Sequence, residues 1–416
     1  MQIDSIDDFD VGGSTVLVRV DINSPIDRST GAIADENRLN KSIATLSDLA
    51  SAGARVVILA HQGDTLDYHN LVPLAEHAEK LAVKLGRPVA YLDDVAGPAA
   101  RQAIGALRDG EVLLLDNIRF LTEEVSTFET AVKLTPAEMT RTYLVRNLAP
   151  LVDLYVNDAF AAAHRNAPSM VAFQELLPTA AGRLLVDEVN ALTSITDSPE
   201  RPCVFALGGL KISDAFGMME RVLSDGTADV ILTSGITGQV MLMARGVDLG
   251  GPSTQFIRDR SLDAFIAPAA DYLERFGDRI RVPVDVAVDR SGERVEMRVE
   301  DLPVDDMIVD VGATTIAAYR DIIATAATIF VNGPPGVYES EVGAPGTRGL
   351  WEAVAAAPGL SVIGGGDTVA SATRFIDLGE IGFVSTGGGA LIRFLSGQRL
   401  PLLEAMERAA VRRRAG

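Results

Sequence analysis

The sequence predicts an α/β protein made of two Rossmann-like, three-layer domains with parallel sheets. Three observations carry this expectation. Short, almost uninterrupted apolar runs recur along the chain, as strands buried on both faces require. Amphipathic helical stretches separate most of them, the alternation of a parallel sheet with crossover helices. The alternation then restarts after a long helical stretch rich in Leu and Val at 181–195, so the 416 residues read as two units joined by that helix.

In the first unit, residues 16–20 form an apolar strand broken only by Arg19, and residues 37–52 an amphipathic helix closed by Gly53. A strand follows at 55–60, then a helix at 71–85 ending at Gly86, and a strand at 111–115. Pro136 opens a helix predicted over 136–148, since proline suits a first helical turn. The strand at 153–156 completes the unit. In the second unit, strands are predicted at 203–207 and 230–233, with helices at 212–223 and 239–245. Residues 284–288 and 295–299 alternate on either side of Asp289-Arg290-Ser291-Gly292, the pattern of a hairpin. Further strands are predicted at 308–311, 328–331 and 360–363, and a basic-ended helix at 400–413. The domain limits follow as 1–180, 181–398 beginning with the joining helix, and a closing segment 399–416 expected to pack back on the first domain.

Composition narrows the function. Net charge is −20 and the isoelectric point about 4.6, which argues against nucleic acid as a partner. Lysine is confined to Lys41, Lys80, Lys84, Lys133 and Lys211. Mean hydropathy is +0.20, and no apolar run approaches a membrane span. The acidic start, MQIDSIDDFD, lacks the order of a signal peptide. The lone Cys203 lies in an apolar strand, reads as buried packing and suits a cytoplasmic protein. An anionic substrate would need a local positive pocket against this overall field.

The chemistry concentrates at strand ends, where open parallel sheets bind ligands. Ser361 to Ser371, SVIGGGDTVAS, runs strand to glycines to helix, and Ser385-Thr386-Gly387-Gly388-Gly389-Ala390 repeats the design. Glycines let backbone amides close on an oxyanion, and the helix start adds free N–H groups and the positive end of its dipole. Asp367 offers a carboxylate where a phosphate-bound Mg²⁺ needs one. Other strands end in Asp21-Ile22-Asn23, His61-Gln62-Gly63, Asp116-Asn117-Ile118-Arg119, Asn157-Asp158, Gly208-Gly209-Leu210-Lys211 and Asn332-Gly333-Pro334. The first four carry Arg and His nearby, the rest carry glycines. That segregation predicts a small anionic substrate on the first domain and a nucleotide on the second, facing across a cleft.

These strand ends resemble the phosphoglycerate kinase family over nearly the whole chain. The resemblance rests on residues 16–25, Arg38, His61, Asp116 to Phe120 and Asn157 to Arg165 in the first half. In the second half it rests on Leu207 to Lys211, Asn332 to Glu339, Gly364 to Thr368 and Ser385 to Ala390. The first-half motifs look more like the archaeal-type members. The resemblance implies a transfer of phosphoryl between ATP and the carboxylate of 3-phosphoglycerate, in line and after domain closure about a hinge helix. It implies Mg²⁺, ATP/ADP as co-substrate and a monomer. Asp21 and Asn23 would hold the glycerate, His61, Arg119 and Arg165 the 3-phosphate, and Arg38 the transferring group. Lys211 would contact the nucleotide phosphates, and Gly365 and Gly388 would place helix starts against the transition-state charge. Gly209, Gly235 and Pro334 would lie near adenine, with Asn332 also on the nucleotide. Glu339 would meet the ribose, Asp367 the magnesium, and Gly364, Gly366 and Thr368 the phosphates.

Two departures stand out. The family's histidine loop normally continues with an arginine that grips the 3-phosphate; here Asp64 and Thr65 follow Gly63. A second lysine of many members is replaced by Ala215. Two other readings therefore stay open: a paralogue that phosphorylates a different small carboxylate, and a non-catalytic nucleotide-binding protein. Among the remaining titratable residues, Arg19 is expected to pair internally rather than bind substrate, a nearby carboxylate being one candidate partner, and His69 and His77 to be solvated.

Overall fold

A computed structural model describes residues 2–64 and 66–415. The chain divides into two compact units. The first runs to Val189 and takes back the chain from Arg399; the second is Asn190–Gln398. The division falls inside the helix Arg183–Thr196.

The first unit holds six parallel strands: β1 (Thr15–Val20), β2 (Arg55–Leu59), β3 (Val89–Leu92), β4 (Val112–Leu115), β5 (Leu154–Asp158) and β6 (Thr179–Ala181). Their order across the sheet is β3-β4-β2-β1-β5-β6, with every neighbouring pair parallel. All six residues of β1 are buried, as a central strand covered on both faces must be. Helix Asn37–Ser51 lays Leu39, Leu46 and Leu49 on that sheet. Helix Ala75–Leu85 begins four residues later than predicted, because Pro73 disfavours helical backbone before it; Gly86 closes it at φ +62°, as expected. The predicted helix 136–148 is two short ones, Pro136–Met139 and Tyr143–Leu148. Between them, the hydroxyls of Thr140 and Thr142 bond to the carbonyls of Ala137 and Met139, each at 2.7 Å, a local alternative to helical pairing. The final helix, Pro401–Ala415, packs within this unit: Leu402 N–H donates to Ala163 O, and Arg413 and Arg414 both pair with Asp4, which is 3% exposed.

The second unit has a parallel sheet of β7 (Cys203–Leu207), β8 (Val230–Thr233) and β9 (Ile280–Arg281) joined to three later strands. Between them the chain forms β10 (Asp285–Arg290), β11 (Glu293–Arg298) and β12 (Met307–Val311). It then supplies β13 (Thr328–Asn332), β14 (Leu360–Ile363) and β15 (Phe383–Val384), and the parallel order is β15-β14-β13-β7-β8-β9. The expected hairpin is β10–β11, turning at Ser291-Gly292 with φ +56° and +88°. The run 308–311 does not extend the parallel sheet but pairs antiparallel with β10, making a separate three-stranded sheet. The core of this unit gathers on Trp351, which is fully buried and donates Nε1–H to Ser371 Oγ at 3.1 Å.

Candidate active site

In the first unit, the singled-out residues stand beyond the carboxyl ends of β1, β2, β4 and β5. Asp21 follows β1, and its Oδ2 pairs with Arg38 Nη1 at 2.8 Å while its Oδ1 accepts from Asn23 N. Asn23 Oδ1 in turn accepts from Gly63 N at 3.0 Å, tying the end of β1 to the end of β2. Asn117 extends the lacing: its side chain bonds Gln62 N, Gln62 O, Val72 O and Arg119 N. Three strand ends, those of β1, β2 and β4, are thereby held in one hydrogen-bonded edge, and the cationic side chains rise beside it.

His61 and Arg19 form its buried centre. Arg19 Nη2 lies 2.8 Å from His61 Nδ1. A guanidinium only donates, so Nδ1 is the acceptor and the ring proton sits on Nε2. Burial, then the nearby Arg19, Arg119, Arg38 and Arg165, push the His61 pKa well below its ordinary value. His61 therefore acts as a neutral N–H donor. Arg19 pairs internally, as expected; among the described residues its hydrogen bonds run to neutral groups, with the carboxylates of Asp21 and Glu124 acting on it electrostatically. Besides His61 it donates to Val20 O and Ser169 Oγ, and Ser169 links it to the buried Glu124, whose carboxyl burial pushes upward. An arginine in the middle of an apolar strand was the available signal. His77 also departs from expectation: it is buried, bonds Gln62 Oε1 at 3.1 Å, and is held down at about 4 by burial. His69 is exposed, as expected.

Arg119 and Arg165 converge on a residue that sequence reasoning missed. Ser126 Oγ accepts from Arg119 Nη1 at 3.3 Å and from Arg165 Nη2 at 2.8 Å. Both arginines also carry acids. Arg119 Nη1 pairs with Asp64 Oδ2 at 2.7 Å, and Arg165 Nε with Glu129 Oε2 at 2.8 Å. Ser126 and Glu129 lie on a helix of seven residues with no motif to mark them.

In the second unit, glycine loops interlock. Gly208 N donates to Asn332 O, Gly209 N to Pro334 O, and Ile236 N to Gly209 O. Gly333 has φ +86°, and a Cβ there would stand 2.3 Å from Gly208 O, so only glycine closes this contact. Gly235, at φ +54°, begins the helix Gly235–Ala244, four residues before the predicted start. Thr368 Oγ1 accepts from Gly333 N at 2.8 Å and Asn332 Nδ2 donates to Gly364 O at 2.9 Å, so the β13 and β14 ends are joined.

Helices begin at this edge immediately after four strands, at Ile212, Gly235, Gly366 and Gly388. Their first N–H groups are free of intrahelical partners and suit phosphate oxygens. Lys211 Nζ stands 3.6 Å from Asp367 Oδ2, both about 70% exposed. One carboxylate beside a phosphate cradle fits Mg²⁺, which is held by one or two carboxylates plus phosphates rather than by a protein cage. Among the described residues no group of three or more His, Cys, Asp or Glu makes such a cage. Glu339 is exposed at the end of the Asn332–Gly333–Pro334 loop, its carbonyl bound by Arg374 Nη1. Beneath that loop, Asp310 and Arg294 form a buried pair that sequence reasoning also missed. Asp310 Oδ2 accepts from Arg294 Nη1 at 2.9 Å and from Gly346 N at 2.6 Å, and its pKa is pushed up to about 6 by burial.

An arginine-lined edge on one parallel sheet and a glycine-and-helix-start edge on another define an α/β phosphotransferase. The family model for phosphoglycerate kinase matches residues 6–398. The chain is 43% identical over 403 residues to the phosphoglycerate kinase of Methanothermobacter thermautotrophicus, covering 97% of this chain and 96% of that one. It is 42% identical over 408 residues to that of Halobacterium salinarum, covering 98% and 100%. The crystal structure of phosphoglycerate kinase from Pyrococcus horikoshii superposes with a TM-score of 0.88 at 37% identity, covering 98% of this chain and 99% of that one. This chain belongs to the phosphoglycerate kinase family, and is a phosphotransferase with a carboxyl group as acceptor. No helix among the described residues is long and apolar enough to cross a membrane.

Proposed function

We propose that the chain transfers the γ-phosphoryl group of MgATP, reversibly and in line, to the carboxylate of 3-phosphoglycerate. A carboxylate oxygen bonds to the γ-phosphorus as the bridging oxygen leaves with ADP. The nucleophile is already ionised near neutral pH, so no general base is required; positioning and charge stabilisation do the catalytic work. The observation that carries the reading is the gathering of Lys211, Asp367 and the helix starts at Gly366 and Gly388 along one sheet edge.

In this reading Asp21 and Asn23 orient the glycerate, and His61 Nε2–H, Arg119 and Arg165 receive its phosphate. Arg38 touches the transferring group. Lys211, Gly364, Gly365, Gly366, Thr368 and Gly388 receive nucleotide phosphates through a side-chain charge and backbone amides. The Thr368 hydroxyl is already bound by Gly333 N, so that residue contributes its own N–H. Gly209, Gly235, Asn332 and Pro334 shape the base pocket, Glu339 meets the ribose, and Asp367 holds Mg²⁺, which screens the phosphate charge when bound. The test is ADP formation from MgATP and 3-phosphoglycerate, with hydroxylamine trapping the acyl phosphate. Acceptor-dependent turnover is expected. Silence from protein that still binds ADP would overturn 3-phosphoglycerate as acceptor, and a panel of small carboxylates would then separate another acceptor from loss of transfer.

A further inference from the structure

Asp64 is placed among cations, and the groups it engages are those an incoming anion would use. Its Oδ2 takes a charge-assisted bond from Arg119 Nη1 at 2.7 Å and the hydroxyl hydrogen of Ser126. The Ser126 oxygen then receives Arg119 and Arg165. Arg119 is 6% exposed and Asp64 26%, so this is a sheltered pair, not a surface contact flickering in water. Arg165 has its Nε on Glu129. The two arginines are thus charge-compensated by acids of the chain itself.

The delivery of Asp64 is built, not incidental. Gly63 donates its N–H to Asn23 Oδ1 and stands at φ +68°, where a Cβ would lie 2.4 Å from the Asn70 backbone. Beyond it, Asp64 and Asp67 form a bridge, and Asn70 returns bonds to Asp67 and accepts one from Ile26 N. A turn braced at both ends sets the carboxylate against Arg119.

We propose that Asp64 is a specificity-determining residue: a resident anion that competes for Arg119 and Ser126 with the anionic group at the far end of the acceptor. This rests on the reading that the first-unit cluster receives the acceptor. A doubly charged phosphate entering here must displace the Asp64 carboxylate or lie beside it, and like charges in a sheltered site weaken binding steeply. An acceptor with an uncharged end meets no such competition.

The experiment compares the full chain with Asp64→Asn, which keeps the shape and removes the charge. Binding of 3-phosphoglycerate and of glycerate is measured by calorimetry without nucleotide, alongside steady-state kinetics with MgATP. The variant is expected to bind 3-phosphoglycerate about tenfold more tightly or better, with glycerate affinity unchanged and the gain appearing in KM, not kcat. Asp64→Ala should move the same way and serves if the amide disturbs the turn. Equal or weaker 3-phosphoglycerate binding in a variant that melts like the parent would overturn the inference while leaving the proposed reaction intact. If neither protein binds or turns over 3-phosphoglycerate while both bind ADP, the inference and that reaction fall together.

Discussion

Replacing Arg294 with methionine would strip the buried Asp310 carboxylate of its counter-charge. Arg294 makes four bonds: to Asp310 Oδ2, Val342 O, Val311 O and Glu296 Oε1, at 2.8–2.9 Å. The Asp310 side chain is fully buried. Breaking a buried pair by deleting one partner costs about 3–5 kcal/mol. For a unit of this size that is about 6–12 °C in melting temperature at the lower figure. The loss should depend on pH with a definite sign. Burial pushes the Asp310 pKa in the folded chain up to about 6, from an ordinary value of 3.8. A folded pKa raised above the unfolded one gives stability that is full below the unfolded value and lost as pH rises through the folded value. Without Arg294 the folded pKa climbs further, so neutralisation relieves the variant at a higher pH than the parent. The expected loss is about 3 kcal/mol at about pH 8 and clearly smaller at about pH 5.5. Trp351, the only tryptophan in the chain, lies in the core of the same unit and reports its unfolding by fluorescence in denaturant. Because Asp310 also anchors Gly346, and its Oδ1 lies 2.4 Å from where a Gly336 Cβ would stand, ADP affinity should fall as well. An equal loss at both pH values, or a loss under about 1 kcal/mol at the higher one, would refute the argument that this pair is a paired buried charge.

Other perturbations separate the two units. Arg38→Ala should lower turnover by about 10²–10³, the scale of losing one preorganised charge at the reacting group, and leave ADP binding as in the parent; calorimetric loss of ADP affinity would contradict the division of labour. Gly388→Ala adds a methyl to open space, so melting should stay put while turnover drops. Gly333→Ala forces a side chain against Gly208 O at φ +86° and should lower both melting temperature and ADP affinity; retention of both would sink the interlocked-loop account. His61, its pKa pushed down by burial and four arginines, should show no imidazole titration by NMR between about pH 6 and 8. A lowered histidine pKa gives stability that is present above its unfolded value and lost on acidification. Arg19→Met, which removes one of those cations, should move the titration upward.

The sheet edges were legible because buried parallel strands must be apolar and must end in polar text where they leave the core. Strands 203–207 and 230–233 match the observed β7 and β8 to the residue. What stayed hidden has local causes. β3 is an edge strand with no buried residue, Ala90 exposed and the other three half-buried, so Val89–Leu92 lacks the continuous apolar signal. The run 308–311 has the composition of a parallel strand, and no periodicity tells which sheet will claim it. His77 looked like a solvated histidine on a polar helix, yet its ring turns inward to a glutamine fifteen residues back in the chain. At the site, the motif residues and Asp64 could be named, but not every group that pairs with them. Ser126, Glu129 and Asp310 act through long-range geometry, and nothing in their immediate sequence distinguishes them from surface polar residues.

The bonding of Arg413 and Arg414 to Asp4 has a consequence for how the molecule comes to be. As the chain leaves the ribosome, the second unit is contiguous and can close on its own residues. The first unit cannot, because the helix Pro401–Ala415 is part of it. Until that segment emerges, Asp4 lacks both arginines and the surface around Ala163 and Gln174 lacks its cover. The part synthesised first is therefore finished last, and a nascent chain stalled before Arg399 would carry a complete second unit and an incomplete first one.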